Sequence, residues 1–148
     1  MTNSEPFVAW WLTMRHCALL LDRQAEEAAT AAGGLSLTQL AVLKALDTED
    51  DCLNQQDVAD VLSVTKSTIS RQIETLLDTG LVELAPIARS RRERRLRLTS
   101  SGRDAVRRAD AAICAAQQPT AEAFSDADLA IANSTAGRLR GLLKAQLT

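Results

Sequence analysis

The stretch that decides the fold is NQQDVADVLSVTKSTISRQIETLLDTG, residues 54–80. It predicts two short helices with a brief interruption between them. Asn54 can cap the first helix and Thr65 the second, because a side-chain oxygen there accepts a hydrogen bond from a free backbone N–H. Gly80 ends the second helix, since glycine readily adopts the left-handed backbone that follows helix ends. Two helices joined by so short a turn indicate a helix-turn-helix.

The second helix of this pair has an apolar face and a polar face. Ile69, Ile73, Leu76 and Leu77 recur at steps of three and four residues, so we expect them to be buried. The opposite face begins with small hydroxyls and cations. Because the second helix of a helix-turn-helix enters the major groove, we expect double-stranded DNA as the partner. The candidate DNA contacts on this helix are Thr65, Lys66, Ser67, Thr68, Ser70, Arg71 and Gln72.

A two-stranded ribbon is predicted to follow. Residues 81–86 alternate like a strand that ends at Pro86, and residues 95–98 alternate again. Between them lies IARSRRER, residues 87–94, which is too charged to be core. A helix-turn-helix followed by a ribbon with an arginine-rich tip indicates a winged helix-turn-helix. The candidate DNA contacts in this wing are Arg89, Arg91, Arg92 and Arg94.

The order and spacing of these segments resemble the MarR family of dimeric bacterial transcription regulators. The resemblance covers about residues 35 to 107 and rests on five motifs: LTQ at 37–39, LNQQDVA at 53–59, VTKSTISR at 64–71, GLV at 80–82 and LTSSG at 98–102. This chain has one departure, because Ser90-Arg91-Arg92 stands where the family's wing usually carries Asp-Arg-Arg. The carboxylate that would hold the wing arginine is therefore absent.

The resemblance implies a function. It implies a sequence-specific DNA-binding regulator, a repressor that binds a palindromic operator as a homodimer. It also implies release by a small aromatic or anionic effector, or by thiol oxidation. By the same resemblance, Arg91 and Arg92 reach the neighbouring minor groove or its phosphates.

The segments on either side of the winged lobe are predicted to form the dimer. Scarce glycine and proline predict a mostly α chain with a small β-hairpin wing. We expect residues 35–99 to form the DNA-binding lobe, and residues 1–34 and 100–148 to form the helices of an intertwined dimer. Ser4 is predicted to cap the first helix and Ser125 the last, and Pro119 predicts a kink or break.

Charge and cysteine usage narrow the expected partners and compartment. The chain carries a net charge of −2, yet residues 89–108 contain nine arginines against two acidic residues. Such asymmetry is typical of a surface that binds a polyanion. No apolar run is long enough for a transmembrane helix, and the start lacks the pattern of a signal peptide. Three cysteines without close pairing predict a reducing cytoplasm. The resemblance further implies a bacterial protein on the nucleoid, and we expect no membrane partner.

Two groups of residues in the first helix are candidates for sensing a signal. Trp10, Trp11, Met14 and His16 can supply the walls of a ligand pocket, although the same residues equally suit a dimer core. Cys17 lies next to His16 and near Arg15, cationic neighbours that can make a thiol more reactive, and by resemblance Cys114 of a second subunit can resolve the oxidised Cys17. Peroxide sensors of this family orient the reactive thiol with tyrosines, which this chain lacks, and thiols that merely fill the core remain the alternative.

An enzyme is not expected from this sequence. It contains one histidine, no C-x₂-C or H-E-x-x-H metal spacing and no phosphate-binding glycine loop, so we predict no cofactor and no metal site. The stronger alternative is a winged helix that contacts proteins and does not bind DNA. Such a module would lose the basic wing and the polar helix face, both of which are present here.

Overall fold

The computed structural model describes residues 3–47, 52–85 and 95–146. Within these ranges the chain is mostly α, with one antiparallel hairpin, and it forms the predicted winged helix-turn-helix. Two compact units are present, residues 1–116 and 117–148. The elements in chain order are α1 Ser4–Gly33, α2 Leu37–Leu46, α3 Gln55–Leu62, α4 Lys66–Asp78, β1 Val82–Ala85, β2 Arg95–Leu98, α5 Ser100–Ala121 and α6 Asp126–Gln146.

The first two helices are joined by a tightly capped corner. Gly34 takes the left-handed backbone (φ 72°) and ends α1. Ser36 and Gln39 then form a reciprocal capping box at the start of α2. A third bond ties the two helices together, because the Leu37 N–H donates to Glu26 Oε2 at 2.7 Å. The orientation of α2 is therefore set by α1 as well as by its own cap.

The helix-turn-helix is built by the caps that the sequence predicted. Asn54 and Asp57 form a capping box on α3, and Thr65 caps α4. The turn between them passes through Ser63 at φ 56°, a left-handed conformation that non-glycine residues seldom adopt. The Val64 N–H returns to the Ala59 carbonyl at 3.0 Å, which closes the turn.

The wing is a hairpin with a third strand-like contact at its base. Val82 pairs with Leu98, and Glu83 pairs with Arg97, whose guanidinium also contacts the Glu83 carboxylate. The segment before α3 joins this sheet, because Leu53 and Leu96 exchange two backbone bonds of 3.3 and 2.7 Å. The wing is thus attached to the helix-turn-helix through the edge of β2 as well as through the chain that leads from α4 into β1.

The junction between the wing and α5 leaves no room for a side chain. Thr99 donates its hydroxyl to the Gly80 and Leu81 carbonyls and accepts the Gly102 N–H, so Thr99 caps α5. A Cβ on Gly102 would lie 2.2 Å from the Leu81 carbonyl oxygen and about 3.0 Å from the Leu98 side chain. Glycine at this position lets α5 pack directly on the backbone of the wing.

One continuous apolar core holds the first unit together. Its fully buried large side chains come from three helices, α2, α3 and α4, and from β2 of the hairpin. They include Val42, Leu43, Leu46, Val58, Ile69, Ile73, Leu76, Leu96 and Leu98. The predicted inner face of α4 is therefore confirmed, with Leu77 packed against the edge of the same core.

Two predicted details of the flanking helices are wrong. Asn3, not Ser4, precedes α1, and its side chain makes no capping bond. Of the kink or break expected at Pro119, the break does not occur, because α5 continues to Ala121. Proline removes the one backbone hydrogen bond in which the N–H of residue 119 would donate to the Ala115 carbonyl. Because the helix ends two residues later, only a short stretch of helix depends on this bond.

The second unit contains α6 and its cap. Ser125 accepts the Asp128 N–H through its hydroxyl, and Asp128 accepts both the Ser125 N–H and hydroxyl, so the predicted cap is confirmed. These bonds favour the carboxylate and lower the pKa of Asp128. In the described part of the chain no single helix could cross a membrane, and the α1–α2 pair, bent by 77°, meets that test only by combined length and composition.

Candidate nucleic-acid interface

The start of α4 presents its polar side chains to solvent on a rigid base. Ile69, Ile73 and Leu76 fix the helix because each is at most 1% exposed. Side chains on the other side of the helix are free to contact a partner. Lys66, Ser67, Thr68 and Arg71 are exposed, as is the cap Thr65, while Ser70 and Gln72 are half-buried. The seven residues predicted on this helix are thus brought together on one short segment.

Two hydroxyls at this helix start, those of Ser67 and Thr68, are each hydrogen-bonded to the hydroxyl of Thr65. Thr65 Oγ1 lies 2.9 Å from Ser67 Oγ and 2.7 Å from Thr68 Oγ1. The same oxygen accepts the Thr68 backbone N–H at 3.3 Å. Thr65 is therefore used inside the protein, while Ser67 and Thr68 keep part of their hydrogen-bonding capacity for a partner.

The electrostatics of this segment suit an anion. The first turn of α4 contains no acidic residue, and Lys66 stands at its first position. The free N–H groups of a helix start carry a partial positive charge, which adds to Lys66 and to Arg71 one turn later. A phosphate or the acceptor edge of a base is the kind of group that this arrangement attracts.

Among the described residues of the wing, two arginines are engaged inside the protein. Arg89, Arg91, Arg92 and Arg94, predicted as wing contacts, lie outside the described residues. At the base of the wing, Arg97 pairs with Glu83 at 2.6 Å, and Arg95 Nη1 donates to the Cys52 carbonyl at 3.1 Å. These two side chains brace the wing, which counting charges along the sequence could not reveal.

A cleft lies beside the candidate interface. It measures about 480 Å³ and runs between α1, α2 and the helix-turn-helix. Its walls are mostly apolar, with Asp22 and Lys44 as charged groups and Thr68 at the end nearest the polar start of α4. Thr68 is therefore shared between the cleft and the candidate DNA-reading surface.

The comparisons with known proteins agree with this geometry. A sequence model described as MarR family matches residues 33–93, which hold α2, α3, α4 and β1. In this stretch the chain is similar to the MarR family. No protein among the curated sequences compared with the chain matches it.

Comparison with solved structures shows that the chain has the MarR fold over nearly its full length. AbsC, a MarR family transcriptional regulator from Streptomyces coelicolor, has a TM-score of 0.78 at 22% identity, over 98% of this chain and 97% of that one. A mutant of MarR from E. coli complexed with operator DNA has a TM-score of 0.77 at 16% identity, over 94% and 99%. Sco3205 from the same Streptomyces species, in complex with DNA, has 0.77 at 19% identity, over 100% and 90%. At these identities the likeness establishes the MarR fold.

The structure separates the predicted sensing residues from the cleft. Trp10 and Met14 are half-buried, Trp11 and His16 are exposed, and the cleft is lined by a later part of α1 at Asp22. Sequence reasoning did not find this cleft, because its walls come from four helices far apart in the chain. Both sensor candidates, Cys17 and Cys114, are exposed free thiols within the single chain.

Proposed function

We propose that this protein is a transcription regulator that binds double-stranded DNA as a homodimer and represses the genes next to a palindromic operator. The observation that carries the proposal is the start of α4. It presents hydroxyls and cations to solvent from a helix held by a fully buried face, in a lobe that is similar to the MarR family. Similar folds have been solved with DNA, which supports DNA as the partner here. The chain would act in the bacterial cytoplasm on the nucleoid.

The residues of α4 are assigned different roles in this proposal. Ser67, Thr68 and Ser70 are short enough to reach base edges or thymine methyls, and Arg71 can form a fork onto guanine. Lys66 neutralises a phosphate, since a flexible ammonium acts as a point charge. The wing arginines Arg89, Arg91, Arg92 and Arg94 are proposed to contact the adjacent backbone and minor groove.

The homodimer is supported by apolar surface that a single chain leaves uncovered. In α1, Phe7, Val8, Trp11 and Leu12 are each about half exposed. Solvent-facing apolar side chains at one end of a helix are typical of a protein interface. A second copy would cover this surface and place the two α4 helices on half-sites about one helical turn, roughly 10 bp, apart.

The dimer can be tested by one substitution and its control. Trp11→Glu places a charge in the uncovered apolar surface and should shift the mass measured by light scattering from dimer to monomer. Arg23→Glu changes a charge on the same helix at a side chain that is 80% exposed, so it should leave the dimer intact. A wild-type chain that is monomeric at micromolar concentration would contradict the homodimer.

An effector in the cleft would explain how the regulator releases DNA. The cleft has the volume of a small-ligand pocket, and its Thr68 belongs to the proposed reading surface. A small aromatic or anionic molecule bound there would alter a side chain that faces the bases. Thiol oxidation at Cys17 with Cys114 of a second subunit is the other proposed trigger, supported by the exposure of both thiols.

The proposed function is tested by selecting bound duplexes from a random DNA pool. The expected product is a palindrome, and the selected duplex should bind at least about 10³-fold more tightly than random duplex at physiological salt. A protein-interaction module would retain no duplex even at low salt. Repeating the selection with organic hydroperoxide tests the thiol trigger, for which loss of binding together with a Cys17–Cys114 crosslink is expected.

A further inference from the structure

The three hydroxyls at the start of α4 are not independent hydrogen-bonding groups. Thr65 Oγ1 is the shared atom, at 2.9 Å from Ser67 Oγ, 2.7 Å from Thr68 Oγ1 and 3.3 Å from the Thr68 backbone nitrogen. A hydroxyl has one proton to donate and two lone pairs to accept with. Three partners therefore use the whole capacity of the Thr65 hydroxyl.

This limit restricts how the neighbouring hydroxyls can be protonated. One lone pair of Thr65 takes the Thr68 N–H, so only one of the two hydroxyls can donate to the other lone pair. The Thr65 proton then goes to the remaining hydroxyl. In either arrangement, one of Ser67 and Thr68 points its proton at Thr65 and offers only lone pairs outward. The other accepts from Thr65 and keeps its own proton for a partner.

We propose that Thr65 is a positioning residue which makes Ser67 and Thr68 read DNA as a coupled pair, one as donor and the other as acceptor. The proposal rests on the DNA-binding function proposed above. Its ligand is therefore the operator DNA of this lobe and is not inferred from the helix start itself. Thr65 does not contact the bases in this account, because its hydrogen bonds are already used.

The coupling has a consequence for sequence preference. In the major groove, guanine O6 and N7 and thymine O4 accept hydrogen bonds, whereas the amino groups of adenine and cytosine donate them. A coupled pair favours sites in which one contacted group accepts and the other donates. In selected operators, the base facing Ser67 and the base facing Thr68 should therefore covary.

Three substitutions at Thr65 separate positioning from simple helix capping. Thr65→Ser keeps the hydroxyl and should reproduce the wild-type preference. Thr65→Asp keeps the cap, since aspartate is among the best residues at this position, but a carboxylate has no proton to give. Thr65→Ala removes both the cap and the shared hydroxyl.

The aspartate variant gives a directional result. Both Ser67 and Thr68 can donate to the carboxylate and would then offer only lone pairs to DNA. The base preference should shift toward adenine and cytosine amino groups, by about two- to tenfold for one hydrogen bond. The added negative charge lowers the affinity for every duplex by the same factor. The ratio of the affinities for two duplexes therefore reports only the change in base preference.

The experiment is selection from a random duplex pool with the wild type and the three variants, followed by fluorescence anisotropy on the selected duplexes. Ser36→Asp is the matched control, because Ser36 caps α2 through the same kind of hydroxyl at a site outside the proposed interface. The melting temperature of each protein measures the loss of helix capping separately from any change in base preference. The expected result is an altered profile for Thr65→Asp without a lower melting temperature, lost covariation for Thr65→Ala, and unchanged profiles for Thr65→Ser and Ser36→Asp.

Two results would overturn the proposal, and they are distinguishable. If Thr65→Asp and Thr65→Ala keep the wild-type base profile and change only overall affinity or melting temperature, Thr65 is a cap and nothing more. If the wild type binds no duplex at low salt, the proposed function fails, and the positioning role fails with it.

Discussion

The close contact at Gly102 gives a prediction whose size follows from the structure. In Gly102→Ala, the new Cβ would lie 2.2 Å from the Leu81 carbonyl oxygen, roughly 1 Å inside an ordinary contact. The obstacle is backbone, so no side chain can rotate away. The junction has to open, and this weakens the two bonds by which Thr99 holds the same carbonyl, each about 3.1 Å long.

The free-energy cost can be bounded from these contacts. Overpacking of this kind costs about 1–3 kcal/mol, and weakening two hydrogen bonds adds about 1–2 kcal/mol. The better helix propensity of alanine returns about 0.5–1 kcal/mol. The net destabilisation is therefore about 1–4 kcal/mol, which corresponds to a fall in Tm of about 2–16 °C for a chain of this size.

Urea unfolding followed by circular dichroism measures this change directly. Gly141→Ala is the matched control, since Gly141 lies inside α6 with no atom within 4 Å of a new Cβ. It should be neutral or stabilising by up to about 1 kcal/mol. A Gly102→Ala protein as stable as the wild type would refute the view that the wing and α5 share a close-packed junction.

Further predictions concern the helix face, the charges and the last cap. Ile73→Ala removes a side chain that is 1% exposed and should cost about 2–5 kcal/mol of unfolding free energy, measured in urea, with weaker binding to all duplexes. Arg71→Ala should reduce the binding free energy by about 1–3 kcal/mol at particular base pairs only. Lys66→Ala should weaken binding to all DNA sequences and lower the slope of log K against log salt concentration by about one. Anisotropy titrations measure both. The pKa of Asp128 is lowered because the Ser125 hydroxyl and N–H donate to its carboxylate. These hydrogen bonds stabilise the start of α6 above about pH 4, and this contribution is lost as pH falls through the pKa of the folded state. Asp128→Asn should remove that pH dependence of amide exchange in α6.

The winged fold could be predicted from sequence because its signals are local. Asn54, Thr65 and Ser36 are followed by the backbone N–H groups that they cap, and the four-residue strands alternate clearly. The α4 stripe has the spacing of one buried helix face. Each of these signals lies within a few residues and needs no knowledge of the tertiary structure.

Features that depend on distant contacts escaped prediction. The cleft has walls on four helices. Arg95, one of the nine arginines in the charged segment, bonds to a carbonyl 43 residues earlier. Pro119 was given too much weight, because its penalty depends on how much helix follows it. The shared bonding of Thr65 with its neighbours depends on side-chain geometry that spacing alone does not fix.

Protection of guanine N7 from methylation tests the central claim most directly, because that atom lies in the major groove that α4 is proposed to enter. With the selected operator bound, the account predicts two protected clusters about one helical turn apart and related by two-fold symmetry. A bound complex in which no guanine N7 is protected would contradict it.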